Sequence, residues 1–423
     1  MKLTAEHFVE GMSAAEKARA AKVEAVLPAL KEMALKVDAE GNFYAGHVKT
    51  LSDAGLLGLI IPEQYGGLGG GLRDLAAATF AMGSVCPSTA LAYFFHCSSA
   101  SRGLLALEAI DAGLFTEDEI PAVQAFAEKV LYSMGRDGQW LANFASETVK
   151  SQTAAITIST KAVKVDGGYL LSGVKSFGCA TGVADRYLVT ASLDGYQDAS
   201  GLCTFFIDRD AKGVSERQKW DALGMRGSAT HGLVLKDVFV ADHDALTVPA
   251  AFTRCMQMSR GSFVGNQLAG IAVYLGQALA IYRDTLKTLT SSKFGDSGAT
   301  IASSPMHQQL IGQMMADLET ATLWLRRQLE LETAEPEILP KQEVIKRWRL
   351  CKGQVAECGF NLAVNALKCL GTTGTNNHSP AAKGLREMAM ALVQAFPAER
   401  GRLMAAQMET DGYEQSQFGV KAP

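Results

Sequence analysis

The stretch AAITISTKAVKVDGGYLLSGVKSF occupies residues 154–177, and its pattern of apolar and polar residues differs from that of the residues before it. Apolar and polar residues alternate along it, β-branched residues are frequent, and Asp166-Gly167 divides it near the centre. Alternation with a period of two predicts strands, and Asp-Gly between two such runs predicts a hairpin. Similar runs follow as DRYLVTASL, LCTFFIDRD and HGLVLKDVFVAD, so we expect a central antiparallel β-barrel.

Helical patterns lie on both sides of this region. From Ser13 to about Phe126 the sequence is rich in alanine, and apolar residues recur at spacings of three and four. Beyond Pro249 four long helices with short links predict a bundle. The expected fold is therefore α+β and multidomain. It consists of an N-terminal α-helical domain (1–135), the central β-barrel (136–248) and a C-terminal four-helix bundle (249–423), with the polar residues 409–423 as a surface tail.

Composition excludes several classes of protein. The 423 residues carry a net charge of −4, so there is no basic field for nucleic acid or an anionic membrane. Apolar runs stay well short of the ~20 residues that cross a bilayer, and the N-terminus lacks the apolar core of a signal peptide. The eight cysteines form no CxxC pair and are expected to be reduced and buried, without a zinc site. A cytoplasmic location is the expectation.

Several separated segments together resemble the acyl-CoA dehydrogenase superfamily over nearly the whole chain. They are LSDAGLLGLIIPEQYGGLGG (51–70), GVKSFGCATGVADRYLVTA (173–191), WDALGMRGSATHGLVLKDVFV (220–240), and the GTTGTNN turn (371–377) with the following LRE. The resemblance implies FAD bound between the β-barrel and the bundle, in a homotetramer whose neighbouring subunits complete the cofactor site. FMN is the alternative cofactor if the protein is a monooxygenase.

The resemblance also implies which residues would contact the cofactor. Ser146, in NFASETVKS, would supply a hydroxyl along the flavin, and Phe177 stands where the family usually has a tryptophan against the ring. Cys179 stands where the family usually has a threonine, and a thiol is a weaker hydrogen-bonding group than a hydroxyl. Two further contacts are expected across subunit boundaries, from Gln309 on a bundle helix and from the glycine turn at Gly371 and Gly374.

The catalytic position departs from the family pattern. Family dehydrogenases use a glutamate to take the α-proton of an acyl thioester, and the resemblance places His378 in that position. A neutral imidazole is a suitable base near neutral pH. The second position known for a base reads Ser259-Arg260, and Arg260 matches an arginine near the substrate and flavin. The favoured interpretation is α,β-dehydrogenation of an acyl thioester or related carbonyl compound, with an electron-transfer protein as partner.

Two alternatives remain open. A monooxygenase branch of the same fold uses reduced flavin and O2, receives its flavin from a reductase, and tends to lack the glutamate. His96, in AYFFHCSSAS, resembles a histidine that this branch places near the flavin. The second alternative is a subunit that has lost catalysis and serves as an assembly partner, which would hold flavin weakly or not at all.

Overall fold

The computed structural model describes residues 8–152, 154–262, 267–412 and 416–420, and its first part is helical. A capping box begins the first helix, because the Ser13 hydroxyl accepts from the Glu16 N–H while the Glu16 carboxylate accepts from the Ser13 N–H. The helices of this part are α1 (Ala14–Glu40), α2 (Gly46–Asp53), α3 (Leu72–Gly83), α4 (Pro87–Ser98), α5 (Ser101–Asp111) and α6 (Ile120–Met134).

The glycine-rich segment 61–71 is a tight connection between α2 and α3, as its composition predicts. Gly66 and Gly69 adopt positive φ values of 85° and 63°. A Cβ on Gly67 would lie 2.1 Å from the Ile61 carbonyl oxygen, so only glycine allows the chain to fold back this closely.

A mixed sheet follows the helices. Its strands are β1 (Leu141–Phe144), β3 (Lys161–Val165), β4 (Gly168–Lys175), β5 (Arg186–Leu193), β6 (Leu202–Asp208), β7 (Val214–Glu216), β8 (Leu233–Ala241) and β9 (Ala245–Leu246). The strand order is β7-β8-β4-β3-β5-β6-β9, with β1 beside β5. The hairpin predicted at Asp166-Gly167 joins β3 to β4, and Gly167 has a φ of 70°.

The predicted central β domain is confirmed, but its sheet is mixed and not antiparallel throughout. β1 and β3 both run parallel to β5, and the described strands form a curled half-barrel with β7 and β9 at its edges. Alternation of apolar residues identifies strands but carries no information on the direction of a partner that is distant in sequence.

The C-terminal part is the expected helical bundle. Its helices are α7 (Ala251–Met256), α8 (Gln267–Ser291), α9 (Pro305–Thr333), α10 (Lys341–Gly374), α11 (Pro380–Ala391) and α12 (Ala398–Thr410). α8 crosses α3 of the first part at very short range, because a Cβ on Gly276 would lie 2.0 Å from the Phe80 carbonyl oxygen and one on Gly83 would lie 2.3 Å from that of Val273. The absence of a side chain at these two positions therefore allows α3 and α8 to pack closely against each other.

The expectation of a surface tail at 409–423 was wrong for residues 416–420. There the chain forms β10 (Ser416–Val420), which pairs in parallel with β2 (Ala154–Ile158). Phe418 is buried against Phe252, with the two ring centres 4.8 Å apart. The strand pairing and the burial of Phe418 therefore hold residues 416–420 against the rest of the protein.

Burial of the cysteines is confirmed, since all eight are buried and free. In the described parts of the chain, no helix has the length and apolar character needed to span a membrane.

Candidate active site

A cavity of about 170 Å3 lies where the first helices, the sheet and the end of the chain meet. Three residues predicted to contact the cofactor line it, namely Ser146, Phe177 and Cys179. They come from two segments, one just after β1 and one just after β4, and the backbone N–H of Ser176 donates to the Ser146 carbonyl oxygen at 2.8 Å. The fold thus brings together residues that are about thirty positions apart in the chain.

A buried ion pair fixes the segment that carries Ser146. Lys175 donates to the carboxylate of Glu147 at 2.6 Å, and both side chains are almost completely excluded from solvent. Glu147 also accepts from the backbone N–H of Ser159 at 2.7 Å and from the hydroxyl of Thr160 at 2.7 Å. Burial alone would raise the pKa of Glu147, but the Lys175 charge and these donors hold it below its usual value. The carboxylate is therefore ionised and occupied by structural contacts.

Phe177 and Cys179 present different chemistry to the cavity. The Phe177 ring is 48% exposed and packs edge-on against Trp220, with ring centres 5.7 Å apart. The Cys179 thiol lies 3.1 Å from the Thr230 hydroxyl, which lies 2.7 Å from that of Ser228. Burial raises the pKa of Cys179 to about 12, so the thiol is neutral near pH 7 and is not a nucleophile.

His96 lies in the interior between α4 and the sheet, and it does not line the cavity. Its Nε2 lies 2.8 Å from the Leu57 carbonyl oxygen, and its Nδ1 accepts from the Leu141 N–H at 2.9 Å. These contacts require the neutral tautomer with the proton on Nε2. Burial lowers the pKa of His96 to about 4. With both nitrogens occupied, His96 positions β1, the strand that leads to Ser146.

Sequence reasoning missed the other residues that line the cavity, and three of them bear on its chemistry. Asn143 is on β1 and its buried Oδ1 has no hydrogen-bond partner. Arg102 is on α5 and is buried, and Phe418 comes from β10. An arginine isolated in the apolar helical stretch 86–107 is a signal that the sequence does contain, whereas the place of Phe418 depends on a distant strand pairing.

A neighbouring cavity contains Arg260. It measures about 340 Å3 and is lined by Arg260, Ser259, Glu108 and Glu332, among others. Arg260 donates to the Glu332 carbonyl oxygen at 3.3 Å, while the Glu332 carboxylate accepts from the Ser262 hydroxyl at 2.7 Å. Burial raises the pKa of Glu332 to about 7. The predicted arginine is therefore beside a carboxyl group that exchanges protons near neutral pH, and sequence reasoning missed this group.

The remaining predicted site residues lie apart from both cavities. Gln309 is on the exposed face of α9, and His378 is exposed in the turn before α11. Gly371 interrupts α10 with a φ of 59°, and Gly374 lines a third cavity of about 360 Å3. Within one subunit these residues are not brought together with Ser146 and Phe177. In the described ranges, no cluster of three histidine, cysteine or acidic side chains is able to hold a metal ion.

Family models match two of the three parts of the chain. Residues 13–107 match the model for the acyl-CoA dehydrogenase N-terminal domain, and residues 143–238 match the one for the acyl-CoA dehydrogenase middle domain. Residues 13–107 and 143–238 therefore correspond to the N-terminal and middle domains of the acyl-CoA dehydrogenase superfamily. The predicted acyl-CoA dehydrogenase fold is confirmed, with helical domains on either side of a half-barrel.

The relatives with which the chain shares sequence include proteins named as dehydrogenases and one named as a hydroxylase. The chain is 25% identical over 364 residues to a mitochondrial isovaleryl-CoA dehydrogenase of Solanum tuberosum, covering 84% of this chain and 80% of that one. It is 23% identical to a pigment production hydroxylase of a Rhodococcus strain, covering 89% and 91%. A solved structure of KijD3 with FMN and a dTDP-linked amino keto sugar superposes with a TM-score of 0.80 at 20% identity, covering 98% of both chains. The structural likeness concerns the fold alone.

Proposed function

We propose that this protein is a flavin-dependent monooxygenase that hydroxylates a small organic substrate in the cavity beside Ser146 and Phe177. The observation that carries the proposal is the chemistry of that cavity. None of its described lining residues has a carboxylate or an imidazole side chain. A dehydrogenase of this fold needs a base within hydrogen-bond reach of the substrate α-carbon, whereas hydroxylation by reduced flavin and O2 makes no such demand.

The residues present fit a flavin. The exposed face of Phe177 offers a flat surface for a planar ring, and Ser146 and Asn143 offer polar groups beside it. The Oδ1 of Asn143 is a buried acceptor without a partner, and a flavin ring carries an N–H group that could donate to it. These three residues would hold the ring. FAD agrees with the superfamily resemblance, and FMN agrees with the ligand of KijD3.

When bound in its reduced form, flavin supplies the two electrons with which O2 gives one oxygen atom to the substrate and the other to water. The chain's own residues then have two tasks. Phe95, Phe177 and Phe418 provide apolar surface against which the ring and the substrate would pack. The neutral thiol of Cys179 and the hydroxyl of Thr230 orient groups without competing as nucleophiles. We further propose a homotetramer that receives reduced flavin from a separate reductase.

Dehydrogenation of an acyl thioester is the second candidate function, and Glu332 favours it. This carboxyl group lies beside Arg260 with a pKa of about 7, which suits a general base. The identity to isovaleryl-CoA dehydrogenase supports the same candidate. His378 remains a proposed base only if a neighbouring subunit brings its exposed turn to the cavity.

Anaerobic mixing of the flavin-loaded protein with short- and medium-chain acyl-CoA compounds separates the two functions. The monooxygenase proposal predicts that the absorbance of oxidised flavin stays unchanged. Bleaching that is lost in Glu332→Gln would establish dehydrogenation with Glu332 as base, and bleaching lost in His378→Ala would assign that role to His378. Exposed His243→Asn is the matched control. A protein that holds neither FAD nor FMN would support the non-catalytic assembly partner.

A further inference from the structure

Arg102 is the one cationic side chain among the described residues that line the cavity. It is the second residue of α5, it is only 4% exposed, and it shares the cavity wall with Ser98 and Phe418. The structure gives this buried guanidinium very few partners. Nη1 makes a weak contact of 3.7 Å with the Met256 sulfur, and Nε has no hydrogen-bond partner.

The surroundings of Arg102 are aromatic and lack a neutralising charge. Its guanidinium carbon lies 4.7 Å above the centre of the Phe252 ring, and Phe252 in turn packs against Phe418. In the part of the chain that the structure describes, no carboxylate forms an ion pair with Arg102. Other partly buried arginines differ, since Arg254 pairs with Glu119 at 2.8 Å and Arg386 with Asp38 at 2.7 Å.

An unpaired buried guanidinium is costly, because arginine keeps its charge and loses its hydration. Burial lowers the pKa of Arg102 to about 10, which still leaves the group protonated near pH 7. The cation–π contact with Phe252 and the contact with the Met256 sulfur offset only part of this free-energy cost. An anion that enters the cavity would supply the charge and the hydrogen-bond acceptors that Arg102 lacks among the described residues.

We propose that Arg102 anchors the carboxylate of a small apolar carboxylic acid that binds in this cavity. The proposal rests on the proposed function, because it takes this cavity as the substrate site and adds the substrate class. The guanidinium N–H groups of Arg102 can donate to both oxygens of a carboxylate, and the apolar part of the acid would pack against the aromatic walls. The aromatic side chains of Phe95 and Phe418, in the same wall as Arg102, suit a single ring or a short branched chain beside the flavin.

The phosphate of the flavin is the other source of an anion. The contacts of Arg102 favour the substrate. Arg102 belongs to the aromatic group of Phe252 and Phe418, whereas Phe177, which would stack on the flavin ring, contacts Trp220. A phosphate is also strongly hydrated, and the apolar residues beside Arg102 offer it few further donors.

Calorimetric titration with benzoate and with neutral benzamide tests the proposal without any turnover. The expected result is that the flavin-loaded wild type binds benzoate at least about tenfold more tightly than benzamide. Arg102→Met should abolish this preference, and Arg102→Lys should keep part of it. Arg402→Met, which removes an exposed arginine paired with Glu357, is the control and should bind benzoate as the wild type does.

The melting temperature of the same proteins separates a ligand-binding role from a structural one. Methionine fills a similar volume without a charge, so ligand-free Arg102→Met should melt at the same temperature as wild type or higher. Benzoate should raise the melting temperature of wild type alone. A variant that melts lower or fails to fold, or one that keeps the benzoate preference, would overturn the proposal.

A third arm of the experiment addresses the flavin phosphate. Affinities for FMN and riboflavin, measured by quenching of flavin fluorescence, should be the same in Arg102→Met as in wild type. Loss of FMN affinity with unchanged riboflavin affinity would assign Arg102 to the phosphate and overturn the substrate assignment. Benzoate binding that depends on Arg102 would stand even if the oxygenation chemistry proved wrong, so the two proposals fail separately.

Discussion

The Leu141 backbone N–H donates to Nδ1 of His96 at 2.9 Å, and this bond joins the N-terminal helices to the first strand of the half-barrel. His96 is completely buried and stays neutral, because burial lowers its pKa to about 4. The strand that it holds leads through Asn143 to Ser146, so the hydrogen bond supports one wall of the candidate active site.

This relationship predicts an acid-sensitive stability. The pKa of His96 in the folded protein, about 4, lies below its value of about 6.5 in the unfolded chain. The contribution of neutral His96 to the free energy of unfolding is therefore complete above pH 6.5 and is lost as the pH falls towards 4. The expected loss is about 3 kcal/mol of unfolding free energy over that range. His96→Asn should flatten the dependence in urea unfolding between pH 7 and 4, and the exposed His243→Asn should not. Equal slopes in wild type and His96→Asn would contradict the assignment.

Removal of one partner of the buried Lys175–Glu147 pair should strongly destabilise the protein. Lys175→Met leaves the Glu147 carboxylate buried without its cation, which should cost about 3–5 kcal/mol. The double variant Lys175→Met/Glu147→Gln should recover part of that loss, because no charge then remains buried and the amide oxygen still accepts from Ser159 and Thr160. Lys164→Met breaks an exposed pair with Asp242 and should destabilise the protein far less than Lys175→Met in the same urea titrations. A Lys175→Met variant as stable as Lys164→Met would show that the pair is unimportant.

Two helical glycines should respond in opposite directions to alanine. Gly312→Ala, on the exposed face of α9 with open space around it, should stabilise the protein by about 0.5–1 kcal/mol. Gly276→Ala carries the same gain in helix propensity, but its Cβ would lie 2.0 Å from the Phe80 carbonyl oxygen, so α3 and α8 must separate. We expect a lower melting temperature for Gly276→Ala and a higher one for Gly312→Ala. Stabilisation by both would mean that the crossing is looser than the structure has it.

The sequence predicted those features that depend on local pattern. The hairpin at Asp166-Gly167, the tight glycine turn at 61–71 and the long bundle helices all follow from periodicity and turn chemistry. The resemblance also placed Ser146, Phe177 and Cys179 in segments that meet at one cavity. Their shared position was implied by family likeness, since no spacing in the chain indicates that residues 146 and 177 are neighbours.

Features that depend on distant contacts escaped prediction. The parallel pairing of β10 with β2 brings Phe418 to the cavity from a segment that looks like a polar tail. Arg102 and Glu332 were overlooked because the importance of each comes from its burial, which the sequence does not display. In these cases the tertiary environment, and not the residue type, creates the chemistry.

The cavity beside Ser146 and Phe177 should support reaction of reduced flavin with O2. The most direct measurement reduces the flavin-loaded protein anaerobically, mixes it rapidly with oxygenated buffer, and follows O2 consumption and the absorbance of oxidised flavin together. The monooxygenase account predicts that one equivalent of O2 is consumed well before oxidised flavin returns. Simultaneous consumption of O2 and return of oxidised flavin, or a reduced flavin that barely reacts with O2, would contradict it.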